Sequence, residues 1–252
     1  MLKFSPANAK TKRLKTLPEL QCFLENKRKV YSLDLLSGWS CPGAKDCLAR
    51  VHVEDGRRWL EDGPQAQFRC FSASQEVAFP NVYKLRKHNF DSLKKCKGVV
   101  QCKELILQSL PKNIGILRYH VGGEFFSRVY LYGAIAVAMA RPDVLFYTYT
   151  KSLHFLQEID MVDRANGMIL PNFLVTTSRG GKYDHLIPKV GIRTAKVVLE
   201  VEDAGTLPID HDDSHAARPG GDFALLIHGQ QKAGSEASLA RKKLGKLGSY
   251  GK

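Results

Sequence analysis

The segment CPGAKDC carries Cys41 and Cys47, and FRCFSAS adds Cys70 after 22 intervening residues. Thiolate sulfur selects zinc, copper(I) or the iron of an iron–sulfur cluster. A closed structural zinc site takes four protein ligands. Cys41, Cys47 and Cys70 are three, a number that suits a [4Fe–4S] cluster with one iron left open to a small molecule. A competing reading pairs Cys41 and Cys47 with Cys96 and Cys102, which share their spacing, in a four-thiolate zinc site. Plain burial of free cysteines is the third reading.

The second constellation is HVGGEFF. Gly122 and Gly123 permit unusual backbone angles and the close approach of a ligand. Glu124 at the following helix start can accept from an ammonium group, or simply cap the turn. His120 closes the preceding strand and faces the same rim, with Arg118 two residues earlier. Tyr147, Tyr149 and Lys151 suit an adenine or a carboxylate. Asp210, His211, Asp212, Asp213 and His215 mix carboxylate and imidazole, as a divalent metal site does, although turn-rich loops hold the same residues for local hydrogen bonds. A serine-hydrolase elbow, a Walker loop and a dinucleotide fingerprint are absent from the sequence.

The elements that must position these residues show in the apolar pattern. Six β-rich runs recur, over residues 30–36, 115–121, 144–150, 172–178, 195–201 and 223–229. Helical patterns lie between them at 99–110, 127–142, 152–162 and 181–190. Alternating strands and helices imply βα units and a parallel sheet, as an open (βα)6 barrel or a doubly wound sheet. Functional side chains of such folds collect beyond the carboxyl ends of the strands. The cysteine loop and Gly122-Gly123-Glu124 both fall there. The expected organisation is a basic N-terminal segment, 1–29, a single α/β domain, 30–235, and a basic C-terminal tail, 236–252.

Formal net charge is +13, concentrated in residues 10–29, 84–97 and the C-terminus. Such a field favours nucleic acid, DNA or RNA, or another polyanion. No apolar run reaches the roughly 18 residues of a membrane span. The N-terminus lacks an apolar signal region, so the expectation is a cytoplasmic protein with reduced thiols.

A cysteine loop after the first strand, Gly-Gly-Glu after the second and a run of six βα units resemble the radical S-adenosylmethionine superfamily. The superfamily's usual loop is C-x3-C-x2-C, whereas here the third thiol follows at a distance. The resemblance implies a [4Fe–4S] cluster on Cys41, Cys47 and Cys70, with S-adenosylmethionine held by Gly122, Gly123 and Glu124 beside His120. Over nearly the whole chain, the strings CPGAKDC, FRCFSASQE, PNVYKLRKHNFD, FYTYTKS, DHDDSHA and FALLIHGQQKAGS resemble the bacteriophage gene product 88 family. That implies a viral source and expression in a bacterial cytoplasm. The functional expectation is an iron–sulfur enzyme of the radical type acting on nucleic acid or a nucleotide. The alternative is a non-enzymatic, zinc-stabilised nucleic-acid-binding protein.

Overall fold

A computed structural model describes residues 1–245 and residue 247. Its strands are β1 (Ser5–Pro6), β2 (Lys29–Leu33), β3 (Ala49–Glu54), β4 (Arg57–Asp62), β5 (Ile114–Tyr119), β6 (Leu145–Thr150), β7 (Met168–Leu170), β8 (Phe173–Ser178), β9 (Thr194–Val198) and β10 (Phe223–Leu226). Its α-helices are α1 (Gln21–Leu24), α2 (Phe71–Ala78), α3 (Pro80–Lys94), α4 (Val99–Ser109), α5 (Arg128–Ala140), α6 (Ile187–Val190) and α7 (Glu236–Leu244).

Eight strands form the main sheet in the order β1-β2-β5-β6-β8-β9-β10, with β7 added to β8. From β2 to β10 the six strands along this path are mutually parallel and follow chain order, while β1 and β7 pair antiparallel. The six apolar runs read from the sequence are these six strands. They read as nearly continuous apolar stretches because both faces of a parallel sheet are covered. Leu117, Tyr119, Phe146, Phe173 and Val175 point to one face, under α4 and α5. Val30, Ile116, Leu145, Tyr147 and Leu174 point to the other, covered by Leu14 and Leu20 and by Ala216 and Ala217. The basic N-terminal segment is thus part of the fold, and its Leu2, Leu14 and Leu20 are core residues.

Local chemistry explains the helix ends. The Ser127 hydroxyl accepts from Tyr130 N at the start of α5, and Pro142 follows two residues after its end. Pro80 opens α3 at a position where its missing N–H costs nothing. The helices expected at 152–162 and 181–190 are much shorter: 3-10 turns at Leu153–Phe155 and Asp184–Leu186, the second continuing into the four-residue α6. Pro188 falls within that stretch, and Gly191 ends it in a left-handed conformation.

The stretch between Cys47 and Cys70 is built, not loose. β3 and β4 pair antiparallel from Ala49↔Asp62 to Glu54↔Arg57, joined by Asp55 and Gly56, both at positive φ. Asp-Gly between alternating strands is the strongest short-range hairpin signal. At its base Gly63 N donates to Leu48 O at 2.7 Å.

Asn172 locks the opposite end of the sheet. Its amide nitrogen lies 2.9–3.0 Å from the carbonyl oxygens of Ala138, Arg141 and Val144, and its own carbonyl accepts from Phe146 N. Asn172→Ala strands buried acceptors, and its expected cost is about 1–3 kcal/mol. Urea unfolding should show a lower midpoint at unchanged slope.

Candidate functional site

Loops beyond the carboxyl ends of the parallel strands surround one cavity. Its walls include Cys41, Cys47, Cys70, Gly122, Gly123, Glu124 and His120. The residues singled out for a metal and for a cofactor therefore meet in one place.

Each thiol arrives on a fixed segment. Past β2, Leu35 N donates to Gly122 O at 2.8 Å, and the Ser40 hydroxyl donates to Leu36 O at 2.8 Å, which holds the turn into Cys41. The loop carrying Cys47 is stitched to the loop after β8 through Asp46 N to Gly180 O and Lys182 N to Gly43 O. Cys70 sits at the N-terminal cap of α2. Burial pushes the Cys41 thiol well above its ordinary value, reinforced by Glu124, Cys70 and Cys47. Cys70 rises to about 11, from burial first and Cys47 second. Cys47 is raised by burial, with Lys151 acting against the rise. Without a metal these groups are neutral thiols, and only an electropositive ligand would make them thiolates.

The spacing of the thiols bears on what could be held. Tetrahedral zinc brings its sulfurs within about 3.8 Å of one another. Among the described residues, no group of three or more His, Cys, Asp or Glu is drawn together to hold a single metal ion. Cys96 and Cys102 lie elsewhere: Cys102, on α4, is buried against α5 with Cys96 packed beside it. The four-thiolate zinc set is not assembled.

Glu124 is buried, and its carboxylate accepts from Phe125 N, the Thr150 hydroxyl and Lys151 N. Burial still raises it to about 7, with those hydrogen bonds working in the opposite direction. His120 adopts φ 69°. Its Nε2 meets the Tyr130 hydroxyl at 2.8 Å, while its buried Nδ1 has no partner among the described residues. Burial and then the Arg118 charge lower it to about 3, so the ring is neutral.

The glycines are also required by the protein's own packing. A Cβ on Gly122 would stand 2.0 Å from the Ser72 hydroxyl, and one on Gly123, at φ +93°, would stand 2.5 Å from Leu35 Cβ. What approaches too closely for a side chain is the protein itself, and a substitution at Gly123 would disturb packing before any ligand.

Under the cavity lies a buried ion pair that sequence reading missed. One carboxylate oxygen of Glu76 on α2 accepts from Ser37 N at 3.0 Å, the Ser37 hydroxyl at 2.7 Å and Arg86 of α3 at 3.1 Å. Arg86 also donates to Ser72 O and Gln75 Oε1. The Cys41 loop, the Cys70 helix and α3 are thus joined at one pair, against which the Gly122 turn packs closely.

The opposite wall absorbs the remaining candidates. Asp213 is wholly buried and accepts from Arg118, Lys10, Tyr147 and Tyr149. Burial would raise its pKa, but Arg118 and Lys10 hold it at about 2. Arg118, Tyr147 and Tyr149 therefore bind a carboxylate of this chain. Asp210 lies 3.8 Å from His215 Nδ1. The 210–215 loop is tied over the sheet by the buried ion pairs of Asp213 with Lys10 and Arg118. Lys151 donates to Ser178 O, Ser178 Oγ and Arg179 O at the cavity edge.

The fold and the site define an α/β protein with a thiol-lined cavity at the carboxyl rim of a mostly parallel sheet. The family model for Gene product 88 matches residues 2–245, so the chain belongs to that phage family. No curated protein and no solved structure matches it. No helix among the described residues is long and apolar enough to cross a membrane.

Two outcomes follow from this geometry. Arg86→Met leaves the Glu76 carboxylate buried and uncompensated, with an expected loss of about 3–5 kcal/mol in urea unfolding. Glu124 has a folded pKa of about 7 against an ordinary 4.5. The fold therefore favours its protonated form, a contribution present below pH ~4.5 and lost as pH rises through about 7. Glu124→Gln should flatten that part of the stability profile, measured by unfolding between pH 4.5 and 8.

Proposed function

We propose that this protein holds a [4Fe–4S] cluster on Cys41, Cys47 and Cys70 and binds S-adenosylmethionine beside it, as a radical-type enzyme acting on nucleic acid or a nucleotide. The observation that carries the reading is the meeting of three thiols with Gly122-Gly123-Glu124 in one cavity beyond the first and second of six parallel strands in chain order. That strand order is compatible with an open (βα)6 half-barrel. The hairpin accounts for the unusual thiol spacing, because its paired base returns the chain to Leu48 before it runs on to Cys70.

When bound, such a cluster supplies the electron for reductive cleavage of S-adenosylmethionine to a radical that abstracts hydrogen from substrate. The chain's own contributions are binding and shape. Cys41, Cys47 and Cys70 would hold the cluster as three thiolates, and Gly122, Gly123 and Glu124 would hold S-adenosylmethionine beside it. Glu124, raised to about 7 by burial, is suited to gain charge when an ammonium group arrives. His120 offers a neutral, unpartnered ring nitrogen at the same wall. Phe68, Phe71, Leu225 and Ile227 supply an apolar side that excludes water.

Purification without oxygen, followed by counting iron and sulfide, tests this. The expected wild type is brown, absorbs near 400 nm and carries about four irons per chain. Cys41→Ala, Cys47→Ala and Cys70→Ala should each lose the iron, whereas Cys22→Ala, Cys96→Ala and Cys102→Ala should keep it. Zinc in place of iron, metal lost from the Cys96 and Cys102 variants, or a wild type that takes up no iron would overturn the reading.

A further inference from the structure

One wall of the cavity gathers more positive charge than nearby acids offset. Lys10 and Arg118 line it, are 7% and 6% exposed, and share Asp213 as their carboxylate, with Lys10 at 3.0 Å. Asp210, the other buried acid here, interacts with Lys10 and with Arg193, whose guanidinium donates to the carbonyls of His215, Ala216 and Arg218. Three cations thus stand against two carboxylates. Arg69, also on the wall, is matched by Asp62. Lys151 brings a further charge on the thiol side, where its ammonium donates to neutral oxygens, Ser178 O, Ser178 Oγ and Arg179 O. Glu124, the acid of that side, is raised by burial to about 7. His228 registers the surplus. Burial first, then Lys10 and Arg118, hold it down at about 4, against a hydrogen bond to Leu226 O and the charge of Asp213.

The cationic wall runs into an aromatic one. The Arg118 guanidinium lies 5.2 Å over the Tyr149 ring. The His228 ring, in the field of Lys10 and Arg118, lies 4.5 Å from the ring of Phe71, and Phe68, Leu225 and Ile227 line the same cavity. A guanidinium has five N–H donors and an ammonium three, so each can hold Asp213 and a second anion together. The thiolate-bound cluster of the reading above is an anion and its sulfonium cofactor a cation, so those two offset each other and not this wall.

We propose that this wall binds a nucleoside monophosphate, with its phosphate on Lys10 and Arg118 and its base against Phe68 and Phe71. A phosphate monoester carries roughly −1.5 to −2 charge near neutral pH, which answers such a surplus better than a single carboxylate does. Guanidinium and ammonium donors to phosphate oxygens form charge-assisted hydrogen bonds, the stronger kind. Both cations are nearly enclosed. A mononucleotide reaches them, whereas the successive phosphates of a strand do not. Every base has a π-face, so aromatic side chains accept any of the four. As the substrate of a radical reaction, the nucleotide rests on the reading above, yet its binding needs no cofactor.

The test uses the full chain, purified without oxygen and with its iron counted. Uridine and adenosine 5′-monophosphates are titrated by calorimetry beside the nucleosides, uridine-5′-carboxylate, inorganic phosphate and a 5′-phosphorylated hexanucleotide. The expected result is saturable binding of a monophosphate, on the order of tenfold tighter than its nucleoside or the carboxylate. Lys10→Met leaves Asp213 with Arg118, Tyr147 and Tyr149, and should weaken binding about tenfold. Asp213→Asn removes the competing carboxylate and should tighten it. Phe71→Leu should weaken the monophosphates and leave inorganic phosphate unchanged. Circular dichroism and urea unfolding check that each variant folds, and Phe71→Leu, which touches no charge pair, carries the test if the charge variants do not. No binding, equal binding of the nucleosides or the carboxylate, tighter binding of the hexanucleotide, or a folded Lys10→Met that binds as wild type does would overturn the proposal. Iron is counted in the same samples, so monophosphate binding without iron, or iron without such binding, tells the two proposals apart.

Discussion

The arrangement of the cavity depends on a charge pair that faces no ligand. Removing a carboxylate and a guanidinium from water costs several kcal/mol per ion, and the cost is offset only when geometry and extra hydrogen bonds are good. Glu76 and Arg86 engage Ser37, Ser72 and Gln75, although Glu76 Oε2 and Arg86 Nε are buried without a hydrogen-bond partner among the described residues. Their partners come from segments far apart in the chain. Because the pair tolerates little displacement, those segments are held in one relation, and the thiols they carry are held with them. The close contact of Gly122 with Ser72 and Arg86 extends the same constraint to the second strand's loop.

A second buried pair shapes the other side. Asp213 joins Arg118 and Tyr147 of the sheet to Lys10 of the N-terminal segment. It does for one face of the sheet what α4 and α5 do for the other: it covers the strands and closes the cavity's far wall. Two ionic joints thus flank a cavity whose thiols and His120 are uncharged near neutral pH, while Lys10, Arg69, Arg118 and Lys151 bring positive charge to its walls.

Much of this was legible in the residues. The six parallel strands showed because strands covered on both faces read as apolar runs, and their loops could then be assigned to one rim. That assignment put Cys41, Cys47, Gly122 and Glu124 together before any geometry was known. The helix α3 was not legible, because its apolar stripe is thin and its lysines read as charge. The hairpin was missed although Asp55-Gly56 marks its turn. The Glu76–Arg86 and Lys10–Asp213 pairs had no signal at all, since nothing local tells a buried charge from a solvated one. Of the two glycines, Gly123 uses the left-handed backbone that only glycine adopts freely, and the packing of both against Ser72, Leu35 and Arg86 had no sequence signal.

The hairpin has a consequence for how distance along a chain should be understood. Of the 22 residues between Cys47 and Cys70, 14 belong to β3, β4 and their two-residue turn. Since the ladder holds its own two ends together, those 14 add nothing to the span that must close when the thiols meet. The closure entropy is that of a loop about one-third as long, a difference of roughly 1 kcal/mol. The stem behaves as a clasp whose length is independent of what it fastens. A relative could lengthen or shorten it by whole residue pairs, changing the written interval between the cysteines while leaving their separation in space where it was.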